Sequence, residues 1–449
     1  MTEGGPTRRF DARELVRDPI AVWLVAVGLG LTLAAVAVEL HWRLGTAAAP
    51  FTAQYRGKLE VGSLLAPAVA LIVLRLTLRR PVTIPWRRLL VAGYLVAVAW
   101  TFGLAAVDGG NGFARPVVNP DEYLIDVGGV GNHPGSWLAH FVASSDLHSA
   151  ATRTHPPAPV LFLWLLGKMG ITRPGTLGFV LAGIGCLTIP LVAIAVRSLC
   201  GETAARRLLP VLALAPYAVW VAVSMDAVTM TLAAAGITCG VLASEHRRTG
   251  WSQTSWGLAA GMLIGTSSLF SYAAPWLAIS VICVYFVRRR PLLNIITGLG
   301  ALVPLFLFRA AGYVWTDGLT AAQKDFSLRV GSHRSWLLWA FLDVVILLIA
   351  CGPALIITLK RLRLTPGWPF LAGAGAAVIF AIGSGLARGE VERSWLPFYP
   401  WLLTAAVAPL VRPTRDTPPT ETAGPMPWPE IVVGVIAATV LQAILRTTW

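Results

Sequence analysis

The sequence predicts an all-α, polytopic membrane protein with about 13 transmembrane helices. Three observations predict it. Of the 449 residues, 56% are hydrophobic and only 13% are charged, about half the charged share of a soluble domain. Apolar runs of 16 to 23 residues recur along most of the chain, close to the roughly 20 residues a helix needs to cross a hydrocarbon core of about 30 Å. Finally, 36 Lys+Arg against 22 Asp+Glu give a net charge of +14, and the surplus falls on alternate turns between those runs. The same figures exclude a soluble globular enzyme, a disordered chain and a coiled coil. They also turn the positive charge into a topology signal, so no nucleic-acid partner is expected.

Residues 1–18 form a tail with Arg8, Arg9, Arg13 and Arg17 ahead of an apolar run without a small-residue cleavage site. That run reads as a retained anchor and the tail as cytoplasmic. Spans are expected at 19–41, 61–78, 88–107, 174–196, 208–223, 226–243, 254–270, 272–287, 291–309, 336–358, 367–386, 395–411 and 429–445. The organisation is then two N-terminal helices (19–87), a membrane core (88–411), a cytoplasmic linker (412–428) and a last helix (429–449). Within the core, 108–173 and 310–335 are polar outer loops. The segment 156–170 is apolar but short. Read as a helix lying in the outer interface, it lets every basic turn fall on one side of the membrane.

With that topology the inner segments hold 22 of the 36 Lys+Arg and 9 of the 22 acids, leaving 14 cations and 13 acids outside. The inner face is net +13 and the outer face +1, which places a multi-pass protein in the plasma membrane with its N-terminus in the cytoplasm. The five cysteines lie in apolar runs or beside a basic turn, with no CxxC or Cys/His spacing. Neither a disulfide framework nor a structural metal site is indicated.

The near-neutral outer face carries the candidate chemistry. Asp108 sits where the third span leaves the membrane (GLAAVDGGNG) and reads either as a solvated helix end or as a base for a substrate straddling lipid and water. In NPDEYLIDV, Asp121 reads as a helix cap. Glu122 and Asp126 share a helical face and read either as a pair that binds sugar hydroxyls or a divalent cation or as a plain solvated face. The prolines of Arg153-Thr154-His155-Pro156-Pro157-Ala158-Pro159 fix Arg153 and His155 at headgroup depth, where the pair reads either as phosphate ligands or, for the histidine, as a structural residue of a proline turn. Asp226 reads as a cap of its span or as a functional acid near the apolar region. Tyr272 lies at another outer turn. Glu390, Glu392 and Arg393 precede the aromatic-rich span beginning at Trp395. Glu392 and Arg393 cannot share a helical face, so a mutual salt bridge does not explain them. The loop YVWTDGLTAAQKDFSLRVGSHRS collects Lys324, Arg329 and Arg334, which suggests an anion or a headgroup-facing loop.

AAVDGGNG, EYLIDV, THPPAP, SMDA, FSY and GEVERSWLPFYPW, in this order and on one face, resemble the GT-C glycosyltransferases from about 88 to 405. Within that superfamily the sequence is most similar to the actinobacterial integral-membrane proteins that include the methylthioxylose transferase of lipoarabinomannan. Relatives commonly read His-Pro-Pro-Gly where this chain has Ala158, and the two spans before 88 fall outside the pattern. The resemblance implies an inverting transfer, on the extracytoplasmic side, of methylthioxylose or another pentose or mannose. The donor would be a polyprenyl-phosphate sugar and the acceptor a cell-envelope glycan. It implies Asp108 as general base with Asp126 in reserve. Arg153, His155, Lys324, Arg329, Arg334 and Arg393 would be candidates for holding the phosphate. Glu122, Asp226, Tyr272, Glu390 and Glu392 would contact sugar or acceptor. Such enzymes tolerate or require a divalent cation (Mg or Mn), for which this sequence shows no clear ligand set. The rival class is a transporter or lipid flippase, which predicts polar residues and broken helices at mid-membrane depth.

Overall fold

The structure, a computed structural model, describes residues 17–58, 60–79, 84–222, 224–409 and 424–447. The first 16 residues of the expected tail, most of the expected 412–428 linker and part of the basic turn at 75–88 lie outside the described residues. The rest is almost entirely helical.

Helix α1 (Pro19–Glu39) opens on Asp18, whose side chain accepts from the Ile20 amide at 2.9 Å, with Pro19 at the first helical position. α2 is Leu65–Arg79 and α3 is Trp86–Ala105. α4 (Ala158–Lys168) corresponds to the expected interfacial segment. Its 11 residues extend only about 16 Å at 1.5 Å each, too short to cross. α5 (Pro174–Cys186) and α6 (Thr188–Cys200) form one continuous apolar stretch. α7 (Glu202–Ala213) is followed by the short turn Pro216–Trp220, so the run expected at 208–223 is not one helix. Pro216, which holds Ala215 extended just after α7 ends, accounts for the break, while Pro210 is accommodated inside α7.

α8 (Met225–Ala243) is the central helix, with 78% of its apolar window buried. α9 (Gly250–Ser268) and α10 (Ala278–Val287) pack against it, and α11 (Leu293–Ala310) packs on the far side of α9. The expected outer loop 310–335 contains α12 (Trp315–Phe326), which meets α13 (Trp336–Cys351) at 100°. α14 (Ala354–Arg361) continues α13 past a break at Gly352-Pro353. α15 is Trp368–Ser384 and α16 is Trp428–Ile444. The run 395–411 resolves into short turns at Tyr399–Leu402 and Thr404–Ala406. Pro397 and Pro400 interrupt it. Its aromatic side chains, Phe398, Tyr399 and Trp401, are fully buried among the core helices.

Among the described residues, five helices are long and apolar enough to cross a membrane. The count is six if the bent α12–α13 pair is one span. α1 and α11 leave most of their apolar surface exposed (28% and 17% buried), as lipid-facing helices do. Internally the helices touch through small residues. A Cβ on Gly261 would press into the Thr297 carbonyl, and one on Gly265 into that of Ala301. α9 and α11 therefore approach backbone to backbone, as small-residue stripes permit in membranes. Gly261→Ala is expected to force the two helices apart at a cost of about 1–3 kcal/mol, read as a lowered unfolding temperature in detergent.

One strand pair interrupts the helices. β1 (Ala53–Tyr55) runs antiparallel to β2 (Leu445–Thr447), with Gln54 opposite Arg446. The Arg56 and Lys58 amides extend the pairing onto the carbonyls of Ile444 and Ala443, at 2.8 and 2.7 Å. The connector between α1 and α2 is thereby fastened to the end of α16.

Candidate active site

Four of the motifs singled out in the sequence meet at Arg393. Its guanidinium is buried, with the side chain 8% exposed. Nη1 pairs with Glu122 and Nε lies 3.3 Å from Asp226 Oδ2. His155 Nε2 is 4.0 Å from Asp226 Oδ1, and its Nδ1 lies 2.9 Å from the Ala151 carbonyl oxygen. The Tyr123 ring packs edge-on against the His155 ring at 5.7 Å. Two acids against one Arg hold the guanidinium firmly in its charged state, although burial opposes the charge.

Local structure sets this up. Ser224, not Asp226, caps α8: its hydroxyl accepts from the Asp226 amide at 3.1 Å. The Asp226 carboxylate is thus free to face Arg393. In the same way Asn119, not Asp121, closes the NPDEY turn, its side chain accepting from the Asp121 amide at 3.1 Å. Asp121 is left exposed beside Glu122, in no ion pair among the described residues.

The other acid in NPDEYLIDV has a positioning role. Asp126 accepts from the Ser149 amide at 3.0 Å and lies 3.5 Å from His148 Nδ1. Burial works against its charge, but the bonds from His148, Thr152 and Ser149 prevail and hold its carboxyl down at about 2. A carboxylate so held is a weak proton acceptor. Its place is to tie the 123–130 turns to the helix leading into His155.

Asp108 stands in a second corner. Lys58 Nζ is 2.7 Å from its Oδ1, and Gln442 Nε2 donates to its Oδ2 at 3.5 Å. The carboxylate remains 27% exposed. Arg115 is near enough to Asp108, Arg446 and Arg56 to feel all three. Burial first, then the like charges of Arg446 and Arg56, lower its affinity for a proton, while Asp108 opposes them. The β1–β2 pairing explains the crowding. Gln54 and Arg56 lie two apart on β1 and its extension, and Arg446 faces Gln54 across the ladder, so all three project from one face. The sequence reading missed Arg56, Lys58, Arg115 and Arg446. Their only signal there is membership of the outer segments.

The remaining candidates scatter into local roles. Asp325 joins Arg153 (Nε at 3.3 Å) to Arg329 (Nε at 2.8 Å), and Arg153 also donates to the His148 carbonyl at 2.6 Å. Lys324 is exposed on the last turn of α12. Arg334 donates to the Arg388 carbonyl at 2.6 Å, lies over the Trp339 ring and sits 3.9 Å from Glu390. Tyr272 Oη is 2.9 Å from Tyr313 Oη. The two hydroxyls close over Gly318, where a Cβ would collide with both.

Glu392 is fully buried, and neither carboxylate oxygen completes a hydrogen bond. Burial raises its carboxyl to about 7, with Glu390's charge adding to the shift and the nearby Glu392 and Thr52 amides opposing it. The folded state therefore holds this proton more tightly than the unfolded chain, whose ordinary value is 4.5. The stability from the neutral acid is complete below about pH 4.5 and is lost as pH rises through 7, an effect of about 3 kcal/mol. Glu392→Gln is expected to flatten the fall in unfolding temperature between pH 4.5 and 8 and to stabilise the protein at pH 8.

No group of three or more His, Cys, Asp or Glu side chains able to hold a metal ion occurs among the described residues.

Helices and site together define an all-α polytopic membrane protein whose charged side chains gather at helix ends. No family model matches the sequence, and no curated protein matches it. In structure the chain is similar to ArnT from Cupriavidus metallidurans in the apo state, at 15% identity and a TM-score of 0.47, over 72% of this chain and 58% of that one. It is similar to the same protein bound to undecaprenyl phosphate at 14% identity and a TM-score of 0.47, over 72% and 59%. The chain thus matches less than two thirds of ArnT's length. A likeness at this level says nothing of activity.

Proposed function

We propose that the protein is a GT-C-type membrane glycosyltransferase. It moves a sugar from a polyprenyl-phosphate donor to a cell-envelope glycan on the extracytoplasmic side, with inversion. Methylthioxylose, or another pentose or mannose, is the sugar that the sequence resemblance favours, and lipoarabinomannan the acceptor. The observation that carries this reading is the Arg393 clamp. It draws NPDEY, THPP, SMDA and GEVERSW, spread over some 270 positions, to one point.

The two corners divide the work. In the Asp108 corner the carboxylate accepts the proton of the acceptor hydroxyl as that oxygen attacks the anomeric carbon. The bond from that carbon to the phosphate oxygen breaks, and the polyprenyl phosphate leaves with its electron pair. Lys58, Arg56, Arg115 and Arg446 face the charge that develops there; a phosphate leaving group needs such cations more than it needs an acid. In the Arg393 corner, Glu122, Asp226 and His155 present acceptors and donors for sugar hydroxyls. Arg393 itself, neutralised by two acids, orients them instead of holding the phosphate. The connector from Thr52, beside Glu392, to Lys58, beside Asp108, spans six residues. Six extended residues bound the Thr52-to-Lys58 backbone distance at about 20 Å, so one short connector touches both corners. One observation favours a second base: Asp121 is exposed beside Glu122 and in no ion pair among the described residues.

The flippase reading needs charge at mid-membrane depth. The buried acid of α13, Asp343, instead accepts from the Gly389 amide of an outer turn at 3.1 Å. The helix breaks at Leu187, Gly352-Pro353 and 395–408 contain no charged side chain. Membranes carrying the protein, supplied with a radiolabelled polyprenyl-phosphate sugar and a mannan acceptor, should form labelled glycan. Absence of transfer from every donor, together with lipid movement across liposomes, would establish the flippase instead.

A further inference from the structure

α8 carries Asp226 in its first turn and ends at Ala243. Its 19 residues extend about 28 Å at 1.5 Å each, so the turn after α8 lies one bilayer core away from the candidate active site. There a cavity of about 550 Å³ opens between the start of α3 and the ends of α6, α8 and α10. Trp86, Arg197, Ser198, Glu245, Arg247 and Arg288 line it.

The cavity has a built floor. Arg288 Nη1 donates to the Val241 carbonyl at 2.9 Å and the Ser244 hydroxyl at 3.2 Å. Its Nη2 donates to the Ser198 carbonyl and hydroxyl at 2.6 and 3.0 Å. Glu245 accepts from Ser198 Oγ at 2.8 Å and Arg247 Nε at 2.7 Å, with Arg248 at 3.7 Å. Arg197 stacks on Trp86 at 4.6 Å and pairs through Nη2 with Glu202, which also holds Arg206.

Five guanidinium groups thus meet two carboxylates. The three helix C-termini contribute about half a negative charge each, which leaves a positive surplus. Orientation in the membrane requires cations on this face but does not require them to wall a cavity. Arg197 and Arg247 keep nitrogen donors outside their ion pairs, and the Arg247 side chain is 76% exposed.

We propose that this cavity binds a phosphate-bearing anion, with Arg197 and Arg247 as its fork donors over the Arg288 floor. The source favoured by the setting is an anionic phospholipid of the adjoining leaflet. Basic pockets between helices at the cytoplasmic face take such headgroups, and Ile194, Leu242 and Trp86 offer an apolar wall to the chains. Bidentate Arg–phosphate pairing supplies the selectivity over a zwitterionic lipid.

The test uses the full chain in detergent, titrated with phosphatidylglycerol, with phosphatidylcholine and with inorganic pyrophosphate, and read by native mass spectrometry and unfolding temperature. Phosphatidylglycerol should remain bound and raise the unfolding temperature, and phosphatidylcholine should not. Arg197→Gln/Arg247→Gln should weaken phosphatidylglycerol binding at least tenfold, with the lipid-free unfolding temperature kept. If the double variant fails to fold, Arg247→Gln alone should weaken binding several-fold. Pyrophosphate binding without lipid binding supports the anion site and assigns it a soluble source. Equal retention of both lipids, or unchanged phosphatidylglycerol binding in the variants, overturns the proposal. Because the readout is binding, the result is independent of sugar transfer.

Discussion

Replacing Arg393 with alanine is expected to abolish sugar transfer and to destabilise the protein by about 3–5 kcal/mol, the scale of breaking a buried ion pair from one side. The guanidinium is buried and balances Glu122 and Asp226 together. Without it, two carboxylates with little exposed surface face each other and His155 uncompensated. The cost falls on the acids left behind more than on the contact removed. Arg393→Lys separates the two effects. A lysine keeps the charge but loses the planar fork that reaches two partners at once, so this variant should recover most of the stability and little of the activity. Unfolding temperature and transfer rate, measured on the same preparations, check both. An alanine variant with unchanged stability would show that the clamp does not organise the fold.

Asp108→Asn is expected to lower the transfer rate by about 10³-fold, within the range for removal of a general base, with little change in donor binding. The substitution keeps the shape and the contact with Gln442 but removes the proton acceptor and the charge facing Lys58. Asp121→Asn is the companion measurement. The variant that loses rate without losing donor affinity identifies the base. Equal activity of Asp108→Asn and the unaltered protein removes Asp108 from that role.

The sequence makes the helical architecture readable because a membrane imposes a simple code of apolar length. α1, α3, α5–α6, α8 and α11 all fall where long apolar runs stand. The code weakens where proline enters. The runs at 208–223 and 395–411 are apolar enough to read as spans, yet Pro216, Pro397 and Pro400 divide them. The Arg393 corner is half-readable. Order and polarity single out Glu122, His155, Asp226 and Arg393, and their positions agree with a common locus. Their roles depend on which charge neutralises which, and spacing does not encode that. Local capping is equally ambiguous, since Ser224 and Asn119 take the roles that Asp226 and Asp121 could equally fill. The surroundings of Asp108 are the least readable part. They come from two three-residue strands nearly 400 positions apart, too short for any periodic signal and paired only through the tertiary fold.

That strand pair has a consequence for the order in which the protein is assembled. Helices enter a membrane one after another as the chain is made. Asp108 and Lys58 are in place early, but Gln442 and Arg446 arrive only after α16 has been inserted. Until then the Asp108 corner lacks one wall and one of its cations. The Arg393 corner is complete some fifty residues sooner. Under the proposed function, the Arg393 corner would thus form first and the Asp108 corner last, which would keep a partly inserted chain from acting on a lipid donor.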